Sequence, residues 1–280
     1  MTRARFLPAA ACALAAAVAC ARAPAPARAA AGRPPLRVCL LAHAAPLSDR
    51  DSGRGFDLDL MSDAATRMGV TFQPVWIENR ERVTEVDESD LPLSALAAGR
   101  CDAVPSVPGP AALRGEGDAL TLTRPYYGAA FELVGTQAPG LEALRGRTVA
   151  VQLQTVAHYA LQGMGVRWTA RTTPAEVVAA LDAHEADAAL LWGPALGPLG
   201  RAPTAGWTPP QGLRWNEHVA VRRDDAASAS ALDAALQALA RDGAVSRHAR
   251  AYGLPAHAPF ESTSDPHALA ALGIGVRGRP

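Results

Sequence analysis

Apolar positions follow two spacings that alternate along the chain. Short runs of consecutive or alternating apolar residues predict strands over 36–42, 70–77, 101–107, 148–152, 166–170, 187–192 and 213–221. A longer extended stretch covers 120–135. Between them, helical periodicity predicts helices over 56–68, 91–98, 155–163, 174–186, 226–241 and 245–252. In the first, Leu58, Met61, Ala65 and Met68 share one face and Gly69 ends the helix. Thr173-Pro174-Ala175-Glu176 is a capping box with Pro at the first helical position, a strong helix start. Residues 201–211 are rich in Pro and Gly and read as a linker. The alternation argues for an α/β fold in two lobes, with the long strand leaving the first lobe and the strand at 213–221 returning to it.

Composition changes this picture little. The 280 residues are 49% hydrophobic, much of it Ala, with 19% charged and 5% aromatic, so the chain is globular. The 27 basic residues, all Arg, balance 27 acidic ones. With no basic excess, a nucleic-acid partner is not expected.

The N-terminus matters more. Arg3 and Arg5 precede an apolar, Ala-rich stretch too short to span a bilayer, and Ala27-Arg28-Ala29 offers a small-residue cleavage pattern. Residues 1–29 therefore read as a secretory signal peptide whose cleavage site is not fixed. Removing it takes four Arg and no acid, leaving 23 basic against 27 acidic residues. Ala17-Val18-Ala19-Cys20 is a loose lipobox, so Cys20 has two readings: a lipidated first residue, or a cysteine discarded with the leader. The protein is expected in the periplasm, and at a membrane only if lipidated at Cys20.

Only Cys39 and Cys101 lie clearly in the mature chain. An even pair in an exported protein argues for a disulfide, the alternative being two buried thiols. No metal site is expected, because His43 alone does not complete a ligand set.

Catalytic patterns fail one by one. Gly273 to Gly278 fits GxGxxG, but two residues remain and no helix can follow. His184-Glu185 lacks the second His of HExxH, since position 188 is Ala. Asp57 and Asp59 read as acids favoured at a helix N-terminus. The run Glu85, Asp87, Glu88, Asp90 reads as a solvated loop, with a docking surface as the alternative.

Four segments in order carry a resemblance. Leu36-Arg37-Val38 opens the first strand, Gly55-Phe56-Asp57-Leu58-Asp59-Leu60 looks like GFDxDL, Thr123-Arg124-Pro125-Tyr126-Tyr127 resembles a hinge segment, and Ala240-Arg241-Asp242-Gly243 a closing signature. Together they resemble the periplasmic solute-binding proteins of family 3, which have the type II fold. The resemblance implies two lobes closing on a ligand: lobe one over 36–128 and 213–255, lobe two over 129–212, and a disordered tail over 256–280. It implies cleft positions at Ser48 and Ser106 near lobe-one strand ends, at Tyr126 and Tyr127 where the chain crosses, and at Gln154, Thr155 and Trp192 in lobe two. Members that bind amino acids carry an Arg for the α-carboxylate in the region of Arg114, and an Asp for the α-ammonium where this chain has Trp192. A standard amino acid is therefore not the expected ligand, because an ammonium would be buried unpaired.

Trp192-Gly193-Pro194, Arg37-Val38-Cys39 and Gly99-x-Cys101-Asp102 also resemble a subgroup associated with quinoprotein (PQQ-dependent) alcohol and methanol dehydrogenases. That resemblance implies a noncatalytic accessory whose partner is the dehydrogenase or its cytochrome. The alternatives are a receptor that delivers a small polar solute to an ABC permease, and, more distantly, a dehydratase-like enzyme using His158, Glu132 or Glu217. No cofactor is expected.

Overall fold

The computed structural model describes residues 32–79, 92–162 and 165–263. The leader with Cys20, the acidic run Glu85–Asp90 and residues 264–280 lie outside them, as does the side chain of Arg114. The elements are β1 (Leu36–Leu41), β2 (His43–Ala44), β3 (Ser48–Asp49), α1 (Phe56–Met68), β4 (Phe72–Ile77), α2 (Pro92–Ala97), β5 (Ala103–Val107), β6 (Leu120–Leu122) and β7 (Tyr127–Val134). They continue with β8 (Thr148–Gln152), α3 (Val156–Leu161), β9 (Arg167–Arg171), α4 (Pro174–Asp182), β10 (Ala188–Trp192), β11 (Arg214–Arg222), α5 (Ala226–Arg241) and α6 (Ala244–Ala251).

Strand order along the main sheet is β4-β1-β5-β11-β7-β10-β8-β9, with β6 pairing β11 off this path. Each lobe takes half of it. In lobe one, β1 lies parallel to β4 and β5. In lobe two, β8 lies parallel to β9 and β10. The parallel pairs require crossovers, supplied by the helices between them.

The two crossing strands divide their pairing sharply. The first half of β7, Tyr127 to Ala130, pairs β11, while its second half, Phe131 to Val134, pairs β10. On β11, Arg214 to Glu217 pair β7, and the residues from His218 onward pair β5 and β6. Thus each crossing strand belongs to both lobes. All eight residues of β7 are buried, the acid Glu132 among them.

Three expectations are corrected. The extended stretch over 120–135 is two strands, because Pro125 has no N–H to extend the ladder; Thr123 instead exchanges main-chain and hydroxyl hydrogen bonds with Val219. The Pro/Gly-rich stretch is no free linker: Thr204 N–H donates to the Leu133 carbonyl at 2.7 Å and buried Trp207 donates to Phe131 O at 3.1 Å. Residues 256–263, expected within a disordered tail, run across both crossing strands. His257 bridges Gly128, and Asn216 and Phe260 exchange two hydrogen bonds of 2.9 and 2.8 Å. A Cβ on Gly128 would come within 2.5 Å of the Ala258 carbonyl, so this close crossing needs glycine.

Cys39 and Cys101 form a disulfide with Cα atoms 5.7 Å apart. β1 and β5 are neighbours, which brings the pair into range. The same corner is tied by Arg37, which grips Asp102 through Nε and Nη2 at 3.0 and 2.7 Å. Burial works to raise the Asp102 carboxyl, but its hydrogen bonds from Arg37 outweigh this and hold it below the usual range.

Candidate functional site

α1 begins at Gly55, whose φ of 155° and close approach to Leu47 and Ser48 leave no room for a side chain. No side chain caps the helix. The reading of Asp57 as an acid serving the helix end is therefore corrected: its carboxyl turns inward and is 4% exposed. Ser106 Oγ donates to both Asp57 oxygens at 2.9 and 2.8 Å, and Tyr126 Oη lies 3.3 Å from Oδ1. Ser106 N–H donates to Tyr126 Oη at 3.0 Å. Ser106 has a φ of 55°, a left-handed conformation uncommon outside glycine, at the point where β5 passes the helix start. Asp59, by contrast, accepts a hydrogen bond of 2.5 Å from Tyr252 on the other side of the turn.

Glu217 completes this buried group from β11. It is 5% exposed, and Oε1 accepts from Trp215 Nε1 at 3.0 Å. Oε2 has no hydrogen-bond partner among the described residues. Burial pushes the Glu217 carboxyl up to about 8, the Trp215 hydrogen bond opposing and Asp57 adding to the rise. Burial likewise pushes Asp57 up to about 7 against the hydrogen bonds from Ser106 and Tyr126. The Tyr126 and Tyr127 hydroxyls are raised far above the phenol range, first by burial and then by these carboxyls. Neither tyrosine loses its proton near neutral pH.

The cleft positions expected from sequence fall into three places. Ser48, Ser106, Tyr126 and Tyr127 cluster around α1: Ser48 Oγ donates to Leu41 O at 2.7 Å, and the Tyr127 ring lies 5.2 Å from Phe56 with its hydroxyl on Pro255 O. Trp192 joins an aromatic group at the crossing, stacked on Trp215 at 4.6 Å and 9° and 5.8 Å from Phe131. Gln154 and Thr155 sit apart in lobe two. Thr155 caps α3 by accepting from His158 N–H, and Gln154, with a φ of 64°, donates its N–H to His158 Nδ1 at 3.2 Å. The other two acid–base candidates have structural partners as well: His257 Nε2 lies 2.7 Å from Glu132 Oε1, and Glu217 is held by Trp215. The sequence reading missed Trp215 and the inward turn of Asp57. An apolar–acid–apolar run at a helix start was the available signal, but it does not say which way the acid points.

In lobe one, a cavity of about 700 Å³ opens between α1, the ends of β1 and β5, and α2. Its walls are mostly apolar, with Asp57, Ser48 and Ser106 at one end and Glu116 elsewhere on its lining.

No protein-family model and no curated protein matches the sequence. Solved structures do match in shape. The unliganded, open L-cystine solute receptor of Neisseria gonorrhoeae aligns with a TM-score of 0.64 at 18% identity, covering 78% of this chain and 92% of that one. The second substrate-binding domain of an amino acid ABC transporter described as putative, from Streptococcus pneumoniae, aligns at 0.61 and 19%, covering 78% and 99%. An ancestral cationic amino acid solute-binding protein aligns at 0.58 and 18%, covering 78% and 95%. The fold is that of the type II periplasmic binding proteins. In this fold the paired crossing strands join the lobes, and the crossing in this chain brings Trp192, Trp215 and Glu217 to the same junction. Among the described residues, no helix is long and apolar enough to cross a membrane.

Proposed function

We propose that the protein is a noncatalytic, exported solute-binding protein that takes a small molecule with a polar end between its lobes and hands it to an ABC importer. The observation that carries this reading is the division of β7 and β11 between the lobes. The segment in which they pair with each other, Tyr127–Ala130 against Arg214–Glu217, links the lobes and can bend while both lobes keep their sheets, which suits hinge closure. The solved neighbours are named as receptors of L-cystine and of cationic amino acids, which supports a small solute as ligand. Trp192, where an acidic partner for an α-ammonium is expected by resemblance, argues against a standard amino acid. The buried acid–base candidates have structural partners, which favours binding over catalysis. Small-angle scattering of the mature protein, before and after incubation with a fractionated periplasmic extract, tests the proposal. A fraction that shrinks the particle supports it. No compaction with any fraction refutes it.

A second reading, an accessory of a quinoprotein dehydrogenase, draws support from one feature. Arg37, Cys39, Cys101 and Asp102, which carry the subgroup resemblance, form a single tied corner of lobe one. Affinity capture from the native periplasm separates the two: recovery of the dehydrogenase or its cytochrome favours the accessory role, and recovery of a permease favours import.

A further inference from the structure

The lobe-one cavity differs in character from a site built for a zwitterion. Leu40, Leu41, Leu47, Leu93, Val104 and Leu113 supply its apolar walls. Among its described lining residues the ionisable groups are Asp57 and Glu116, both acidic. A volume of about 700 Å³ falls in the range of roughly 300–1,000 Å³ that small-molecule pockets occupy. Asp57 is buried without a cation among its described partners, which are the hydroxyls of Ser106 and Tyr126. A desolvated carboxyl of this kind gains most from a ligand that brings positive charge and N–H donors, which favours its ionised form. Each carboxylate oxygen can accept two hydrogen bonds, so acceptor capacity is left over after Ser106 and Tyr126.

We propose that this cavity takes a small organic amine with an aliphatic or aromatic body, its ammonium against Asp57 and its body along α2. The inference rests on the solute-binding reading above and narrows it: the described residues lining this cavity all belong to lobe one, so lobe one supplies the primary contacts to the solute. Specificity follows from the two ends of such a ligand. The apolar walls reward added methylenes, and Asp57 and Glu116 disfavour acids of the same length.

Isothermal titration calorimetry of the mature protein at neutral pH tests it, with hexylamine as probe and butylamine, octylamine and hexanoate as comparisons. Saturable one-to-one hexylamine binding is expected, with affinity rising about 4-fold per added methylene. Hexanoate should not bind. Asp57→Asn should weaken hexylamine at least 10-fold, and Leu93→Trp, which fills the cavity from α2, should do the same without touching the acid. Should Asp57→Asn fail to fold, Leu93→Trp decides alone. Equal binding of hexylamine and hexanoate, no hexylamine binding at millimolar concentration, or unchanged affinity in Leu93→Trp overturns the proposal. If amines fail while a periplasmic fraction still compacts the protein in scattering, the ligand class is wrong and the solute-binding reading stands. If neither occurs, both fall.

Discussion

Glu217→Gln should remove a pH dependence of stability that the wild-type protein carries through the neutral range. The carboxyl is 5% exposed, with one oxygen on the Trp215 indole and the other unpartnered among the described residues. Burial raises it from an ordinary 4.5 to about 8. Between those values the unfolded chain sheds a proton that the folded chain keeps. Stability is therefore greatest on the acid side and falls as pH rises, by about 1.4 kcal/mol per unit. From pH 5 to pH 8 the loss from this group is roughly 3–4 kcal/mol, and it levels off above the folded value. Gln keeps an oxygen for Trp215 and has nothing to ionise. Asp57 shifts in the same direction in both proteins, so its contribution cancels in the difference. Urea unfolding followed by circular dichroism at pH 5 and pH 8 gives the two free energies for each protein. The wild-type drop should exceed the Glu217→Gln drop by several kcal/mol. Equal drops would refute the claim that Glu217 is held protonated by burial.

Other perturbations follow from the same geometry. Replacing Cys39 and Cys101 together by Ser frees a loop with a sequence separation of 62 residues, and should cost about 4 kcal/mol by loop entropy, read as a lower denaturant midpoint with an unchanged far-ultraviolet spectrum. His257→Ala leaves Glu132, which is 1% exposed, without its hydrogen-bond partner and should cost about 1–3 kcal/mol; His257→Gln, which can still donate, should recover part of it in the same assay. Trp192→Ala removes the ring stacked on Trp215, and should cost about 1 kcal/mol beyond the lost burial while weakening any solute bound at the crossing, so thermal melts and ligand titrations should both move. A melt that moves alone would place Trp192 outside the ligand site.

Local signals in the chain specify local structure well. The helix at 56–68 ends at Gly69 because a left-handed residue is needed there, with φ 69°, and the capping box at Thr173 and Glu176 forms with both of its bonds. The alternation of strand and helix was enough to set two α/β lobes. The cysteine pair could be matched because Cys39 and Cys101 are an even pair in a chain with an export leader, and β1 and β5 bring them together.

What depends on distant partners was not legible. Asp57 looks like a helix-end acid in sequence, and only the meeting of α1 with β5 and Tyr126 turns it inward to a buried hydrogen-bonded cluster. Glu217 lies far along the chain from Asp57, and its raised carboxyl exists only because β11 returns beside β7. The segment after Pro255 looks like a free end until the crossing strands offer Gly128 and Asn216 to bind it. Periodicity and capping act over a few residues, so a single sequence carries them openly. Burial, and the charge states and ligand surfaces that burial creates, are set by which strands become neighbours, and that is decided by the tertiary fold.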